Sequence, residues 1–214
     1  MTYFLNYLLL FCVNFLNLKI GGKFFFNSFG FSHKDYINLI SRINSIIHTI
    51  IITNICNNFL TGKINQEIFI ENLEITKAYI IYDFLILFYY FKEMNSPYLM
   101  IIHHIVFLIS LFSNKLNMYP YYVAEGLFSE ITNIPLYMCW FLLKIKKTKI
   151  SLFLTNSVIT ITLFYKFRVI TFTKLFLISL SEQEHNESII LFIIMSLNIY
   201  WFVLLIMKFM ESIF

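Results

Sequence analysis

The sequence predicts an all-α polytopic membrane protein, a helical bundle with about seven transmembrane helices. Hydrophobic residues make up 59% of the 214 residues, and charged residues only 13%. The mean hydropathy is +0.74, whereas an ordinary soluble domain carries about 25% charged residues. Because seven spans of about 20 residues each use most of the chain, only loops and tails remain, which excludes a second soluble domain.

The predicted spans are seven uninterrupted apolar segments. In chain order they cover residues 2–18, 43–60, 78–91, 98–113, 121–143, 150–172 and 188–207. The third segment is short for a span. We therefore expect it to include neighbours such as Thr76 and Lys77, or to lie in a locally thinned bilayer.

Two connecting segments have a recognisable character. Residues 21–35, GGKFFFNSFGFSHKD, are rich in Phe and Gly and are typical of a segment in the membrane interface. Residues 64–75 place Glu67, Glu71 and Glu74 on one helical face, which predicts a short surface helix. The three cysteines lie in apolar runs at unrelated spacings, so neither a disulfide framework nor a thiolate metal site is indicated.

The distribution of basic residues predicts the orientation. With the N-terminus outside, ten Lys and Arg residues fall in inner loops and the C-terminal tail and four in outer loops, a clear positive-inside bias. The first segment lacks leading basic residues and a small-residue cleavage site, so we expect a retained signal-anchor helix. The sequon Asn186-Glu187-Ser188 then lies in an outer loop.

Ionisable side chains within the spans are the candidates for function. Such groups are costly in hydrocarbon and normally face the bundle interior. They occupy five different spans and comprise His48, Asp83, His103, His104, Glu125, Glu130, Lys166 and Arg168.

The adjacent pair His103 and His104 points in directions about 100° apart on a helix, so only one ring can face a shared centre squarely. In the next span Glu125, Ser129 and Asn133 form a polar stripe, with Glu130 beside it, and Pro135 predicts a kink. Carboxylates beside imidazoles can serve acid-base chemistry or act as interhelical hydrogen-bonding groups.

The remaining polar residues have structural alternatives. Arg168 can snorkel to the membrane surface or pair with Asp83 or Glu130, and snorkelling is the expectation for Lys166. His48, with Ser45 one turn before it, is expected to form helix-to-helix hydrogen bonds. No HExxH or similarly spaced ligand pair is present, so no metal is expected.

Five motifs in order resemble the TLC-domain family, the membrane proteins grouped around translocating-chain-associating protein, ceramide synthases and the ceroid-lipofuscinosis membrane protein. The segments are RINSIIH with Ser45 and His48, YIIYDFLILFYY with Asp83, MNSPYLMIIHHIVFLIS, AEGLFSEITNIPLYMCWFL, and LFYKFRVI with Arg168. The resemblance covers about residues 34–210. Met138 stands near where many members have Asn, and the acidic signature of ceramide synthases is absent, so the chain looks more like the small TLC-domain proteins.

The resemblance implies a six-helix barrel-like TLC domain at 34–210, which leaves the N-terminal anchor and interfacial loop at 1–33 and a short tail at 211–214. It further implies a central lipid cavity in the endoplasmic reticulum or a related endomembrane. In such a membrane the charge bias predicts a luminal N-terminus and a cytosolic C-terminus. Lipid-lining residues by this resemblance are Ser45, His48, Glu125, Ser129, Asn133 and Arg168. Catalytic candidates are His103, His104, Asp83 and Glu130, with a carboxylate orienting an imidazole.

Three functions remain open at the level of sequence. The first is lipid homeostasis by binding a membrane lipid or acyl chain, and the second is acyl transfer from acyl-CoA to a lipid amine through His103 and His104. The third is ion-coupled transport, although no inverted repeat is visible. No cofactor is expected beyond acyl-CoA as a co-substrate. The expected partners are membrane lipids or acyl chains and a second copy of the chain, without nucleic acid.

Overall fold

The computed structural model describes residues 2–27, 31–94, 97–112, 119–146, 151–182 and 185–213. Within these residues the chain is helical throughout, with short turns and no strand, which confirms the all-α prediction. The helices of the first half are α1 (Thr2–Asn27), α2 (His33–Leu60), α3 (Gln66–Asn72), α4 (Glu74–Tyr89) and α5 (Pro97–Phe112). Those of the second half are α6 (Pro120–Phe128), α7 (Asn133–Lys144), α8 (Ser151–Phe164), α9 (Thr171–Ser181) and α10 (His185–Ile213).

The chain forms two compact units, unit 1 at Met1–Met118 and unit 2 at Tyr119–Phe214. Among the residues that the structure describes, three helices are individually long and apolar enough to cross a membrane, within Tyr3–Gly22, His33–Leu60 and Asn186–Ser212. The helix Pro97–Phe112 is apolar but shorter. Large apolar side chains such as Leu9, Phe88 and Leu177 are exposed on the helix surfaces, as expected where lipid is the solvent.

In unit 1, α1 packs against α2 and α4. Phe11 is buried and its ring lies 5.7 Å from that of Tyr82. Asn44 is fully buried and donates to the Tyr82 hydroxyl at 2.7 Å and to the Phe11 carbonyl at 3.3 Å, while Asn14 donates to the Asn44 side-chain oxygen. Hydrogen bonds and close aromatic packing therefore fix α1 to its neighbours, as is usual between membrane helices.

Two segments of unit 1 differ in detail from the sequence prediction, and the start of the third span agrees with it. The helix α1 continues to Asn27, so much of the predicted interfacial segment 21–35 is helical, and residues 28–30 lie outside the described residues. The third span begins at Glu74 and so includes Thr76 and Lys77, as expected. The predicted surface helix is Gln66–Asn72, because the Asn65 side chain caps its start, and Glu74 belongs to the next helix.

In unit 2, two of the predicted spans are helices with an irregular turn inside. A 3₁₀ turn at Ser129–Thr132 joins α6 to α7, immediately before Pro135, whose missing N–H weakens the helical ladder there. A π-helical turn at Tyr165–Ile170 joins α8 to α9. Neither turn was predicted as such, although Pro135 predicted a distortion.

The helix α10 packs along α9 in unit 2. The Ser188 hydroxyl lies 3.0 Å from that of Ser179, and both residues are buried. The sequon Asn186-Glu187-Ser188 therefore lies at the start of a helix and not in a loop, and its position on the outer side of the membrane stays a prediction. The helix begins before the predicted apolar segment, which started only at residue 188 because residues 185–187 are polar.

Candidate functional site

The predicted site residues of unit 1 lie on three helices, and we call them the histidine cluster. Its members are Ser41, Ser45 and His48 on α2, Asp83 on α4, and His103 and His104 on α5. Five of these six, all except Ser41, are at most 9% exposed. Helical periodicity explains the grouping, because residues 41, 45 and 48 share one face of α2.

Asp83 and His104 form the centre of the histidine cluster. The Asp83 Oδ2 atom lies 3.5 Å from His104 Nδ1, and both residues are 4% exposed. Ser41 donates to the other carboxylate oxygen at 3.2 Å. A carboxylate beside a ring nitrogen fixes the orientation of an imidazole and stabilises its protonated form.

His103 lies beside His104 but has different neighbours. The two rings are 5.5 Å apart and tilted by 44°, and the His103 ring also contacts that of Phe107 at 4.7 Å. Both side chains are buried in unit 1. The carboxylate of Asp83 is thus paired with His104, and the adjacent His103 is packed against an aromatic ring.

His48 is held by α4. Its Nε2 atom lies 3.1 Å from the Thr76 hydroxyl, and its ring stacks on Tyr79 at 4.2 Å with an interplanar angle of 8°. This agrees with the expected helix-to-helix hydrogen bond. The Nδ1 atom is buried without a hydrogen-bond partner among the described residues, so His48 retains a polar atom that a ligand or water can satisfy.

Three of the residues predicted in unit 2, Arg168, Glu130 and Asn133, form a second group together with Thr132, and we call these four residues the arginine cluster. Arg168 Nη2 donates to Glu130 Oε1 at 3.1 Å and to Asn133 Oδ1 at 2.9 Å, and its Nε donates to Thr132 Oγ1 at 2.7 Å. Asn133 in turn donates to Glu130 Oε2 at 2.5 Å. Arg168 is 4% exposed, so it pairs with Glu130 instead of snorkelling.

Two further predicted residues of unit 2 lie apart from the arginine cluster. The Ser129 hydroxyl donates to the Gly126 carbonyl of its own helix at 2.6 Å. Glu125 lies 3.6 Å from Lys174 on α9, and both side chains are substantially exposed. Glu125 therefore links α6 to α9 through an ion pair at a partly solvated position. An ion pair at such a position contributes little to the free energy of folding.

Sequence reasoning missed three residues that hold the site together. Ser41 contacts Asp83, while Thr76 and Tyr79 contact His48. The helical period could have indicated these residues. Residues 76, 79 and 83 share one face of α4, and residues 41, 45 and 48 share one face of α2. Among the described residues no group of three or more His, Cys, Asp and Glu side chains has the arrangement of a metal site.

The family model of the TLC domain matches residues 37–207. The chain belongs to the TLC-domain family. The match agrees with the resemblance expected over 34–210, and both clusters lie inside it. No curated protein and no solved structure matches the chain.

Within this TLC protein the helix α1 is an addition that precedes the matched region. The matched region also begins before the histidine cluster and ends after the arginine cluster. All the predicted site residues therefore lie within the matched TLC domain. Most of them belong to the two buried clusters, whereas Ser129 and Glu125 lie apart from the arginine cluster.

Proposed function

We propose that this TLC-domain protein acts in membrane lipid homeostasis by binding a membrane lipid or acyl chain in a polar-lined cavity of its bundle. The observation that carries the proposal is the pairing of Asp83 with His104 at 3.5 Å, both buried, on two helices of the TLC domain. Ionisable groups buried in the helices of a membrane protein are costly and usually mark a site. The partly satisfied His48 adds a polar atom in the same unit.

The decisive experiment is lipidomics of cells that lack the protein, complemented with wild-type and variant chains. Asp83→Asn and His104→Gln are expected to leave the lipid defect uncorrected at normal protein levels. His33→Gln is the matched control, because His33 is exposed at the start of α2. Full correction of the defect by both cluster variants would exclude the histidine cluster as the lipid site.

An acyl-CoA-dependent acyltransferase is the second candidate, favoured by the orientation that Asp83 gives to His104. In this scheme an imidazole nitrogen attacks the thioester carbonyl, the C–S bond breaks and CoA leaves as a thiol after taking a proton. A lipid amine then takes the acyl group and frees the imidazole. His103 is the proposed acyl acceptor, and His104 with Asp83 is the proposed base.

Intact mass spectrometry after incubation with acyl-CoA tests this second candidate. We expect an acyl adduct in the wild type that is lost in His103→Ala and retained in His33→Gln. The absence of any adduct under turnover and single-turnover conditions would count against the enzyme and leave the lipid-binding proposal standing.

The proposed location is the endoplasmic reticulum or a related endomembrane, with the N-terminus luminal and the C-terminus cytosolic. The excess of lysine in the loops assigned to the inside supports this orientation. Glycosylation reporters fused to each terminus test it, and modification is expected at the N-terminus alone. Modification of the C-terminal reporter would reverse the orientation.

A further inference from the structure

The side chain of Asn198, on α10 of unit 2, is buried without a hydrogen-bond partner among the described residues. Asn198 is 1% exposed, and neither its Nδ2 atom nor its Oδ1 atom has a partner. Buried polar groups in folded proteins are almost always hydrogen-bonded, either to the protein or to a bound molecule such as water. The amide of Asn198 therefore indicates a site for a bound polar group.

The helix α10 packs antiparallel to the segment formed by α8, the π-helical turn and α9. Near the start of α10 the Ser188 hydroxyl lies 3.0 Å from that of Ser179. Further along, the ring of Phe202 lies 5.5 Å from that of Tyr165. Residue numbers therefore rise along α10 while they fall along its neighbour, in one continuous register.

Asn198 and Arg168 are neighbours in this register. Asn198 lies one helical turn before Phe202, and Arg168 lies one turn after Phe164. The rings of Phe202 and Phe164 are 6.2 Å apart, and the Arg168 guanidinium lies 5.3 Å from the centre of the Phe164 ring. Because one turn back on α10 corresponds to one turn forward on its antiparallel neighbour, Asn198 lies beside the π-helical turn at the level of Arg168.

Arg168 has a donor group that the arginine cluster does not use. Its described hydrogen bonds run from Nε to Thr132 and from Nη2 to Glu130 and Asn133, and none of them uses Nη1. A guanidinium offers five N–H donors and no acceptor. Glu130 balances its charge at 3.1 Å, so an anionic ligand would add an unpaired buried charge. A neutral acceptor is therefore the group that suits Nη1.

We propose that Asn198 and Arg168 form a binding site for one hydroxyl group between α10 and the π-helical turn. A hydroxyl both accepts and donates, so its oxygen accepts from Arg168 Nη1 while its hydrogen donates to Asn198 Oδ1. A carbonyl group has no hydrogen to donate and would leave Oδ1 without a partner. The hydroxyl comes from a bound water or from a lipid alcohol, and in either case it links α10 to the turn that carries Arg168. Turns of the π type are rare and are frequent at functional sites.

This hydroxyl site does not depend on the function proposed for the histidine cluster. Asn198 and Arg168 belong to unit 2, whereas the histidine cluster belongs to unit 1. The variants that test the histidine cluster leave both residues unchanged, so either proposal can fail without the other.

The test is cryo-electron microscopy of the full-length protein in nanodiscs, bound to an antibody fragment, at a resolution that shows ordered waters. We expect a density peak within about 2.5–3.2 Å of both Arg168 Nη1 and Asn198 Oδ1. An isolated peak identifies a water, and a peak continuous with elongated density identifies a lipid alcohol. The absence of a peak, or a direct hydrogen bond from Arg168 to Asn198, would overturn the proposal.

Two variants on α10 check that the amide holds the bound group. Asn198→Leu replaces the amide by an apolar side chain of similar size and should lose the peak. Ser188→Ala is the matched control, because it removes a buried hydroxyl that already lies beside Ser179, and it should keep the peak. An unchanged peak in Asn198→Leu would show that Asn198 does not bind the group.

Thermal unfolding of the delipidated wild type in detergent distinguishes the two sources and needs no variant. If the hydroxyl belongs to a lipid, oleyl alcohol at a hundredfold excess over its Kd should raise the apparent Tm by about 5–10 °C. Oleyl methyl ether, which has no hydrogen to donate, should then have no effect. If the hydroxyl belongs to a water, neither compound should change the apparent Tm. An equal rise with both compounds would overturn the proposal, because the hydroxyl hydrogen would then not be recognised.

Discussion

The carboxylate of Asp83 faces the Nδ1 atom of His104 at 3.5 Å, from α4 to α5, with both residues almost completely buried. The separation is that of an ion pair rather than a close hydrogen bond. The second oxygen of the carboxylate accepts from Ser41 on α2, so three helices meet at one acidic side chain. Polar groups buried in this way must form hydrogen bonds or ion pairs with one another. The contribution of each group to the stability of the protein therefore depends on the others.

A double-mutant cycle of Asp83→Asn and His104→Gln should reveal that interdependence. Each single change leaves a buried polar partner poorly satisfied and should cost about 1–3 kcal/mol of stability. For a chain of this size 1 kcal/mol corresponds to about 2–4 °C in apparent Tm, measured by thermal unfolding in detergent. The double variant should lose less than the sum of the singles, and additivity within about 0.5 kcal/mol would contradict the pairing.

Arg168→Leu should abolish accumulation of the folded protein. The guanidinium donates to Glu130, Asn133 and Thr132, and its removal leaves the carboxylate of Glu130 largely uncompensated, which typically costs about 3–5 kcal/mol. Fluorescence-detected size-exclusion chromatography measures the yield. Lys174→Leu is the control, because its pairing with Glu125 is mostly exposed and should contribute at most about 1 kcal/mol. Normal yield of Arg168→Leu would show that the cluster is dispensable.

The membrane spans and most of the site residues could be predicted from the sequence. The reason is that a lipid environment requires apolar residues along each span and makes ionisable residues within a span rare. Apolar runs located each helix, and rare ionisable residues within them located Asp83, His104 and Arg168. The choice of Glu130 as the partner of Arg168 was open, since pairing across helices depends on packing that no local pattern encodes. For the same reason Ser41 and Thr76 were missed, although both follow the helical period of residues that were found.

The irregular turns were harder to predict than the helices. Pro135 predicted a distortion near the 3₁₀ turn at Ser129–Thr132, because it removes a backbone donor. The π-helical turn at Tyr165–Ile170 contains neither Pro nor Gly, so the sequence held no comparable signal. That turn carries Arg168 and Lys166 in opposite environments, one buried and one exposed.

Asn156→Leu should destabilise the contact between α7 and α8 only slightly. Its amide donates to the Pro135 carbonyl at 2.8 Å and to Cys139 Sγ at 3.0 Å, and the thiol also lies near Ser157. Hydrogen bonds between membrane helices average about 0.6 kcal/mol, so a decrease in apparent Tm of a few degrees at most is expected. A complete loss of folded protein would mean that this contact, rather than the arginine cluster, organises unit 2.

The helix α1 lies outside the matched TLC region, yet its removal should prevent unit 1 from folding. It covers α2 and α4 with the buried rings of Phe11 and Phe15, and the carbonyl of Phe11 accepts from the buried Asn44. Phe11→Ala should therefore cost about 3–5 kcal/mol, whereas Leu9→Ala, at a position 62% exposed to lipid, should be nearly neutral. Apparent Tm and yield in detergent separate the two variants. Deletion of residues 2–27 should abolish accumulation, and a stable truncated chain would show that α1 is a detachable anchor instead of part of the bundle.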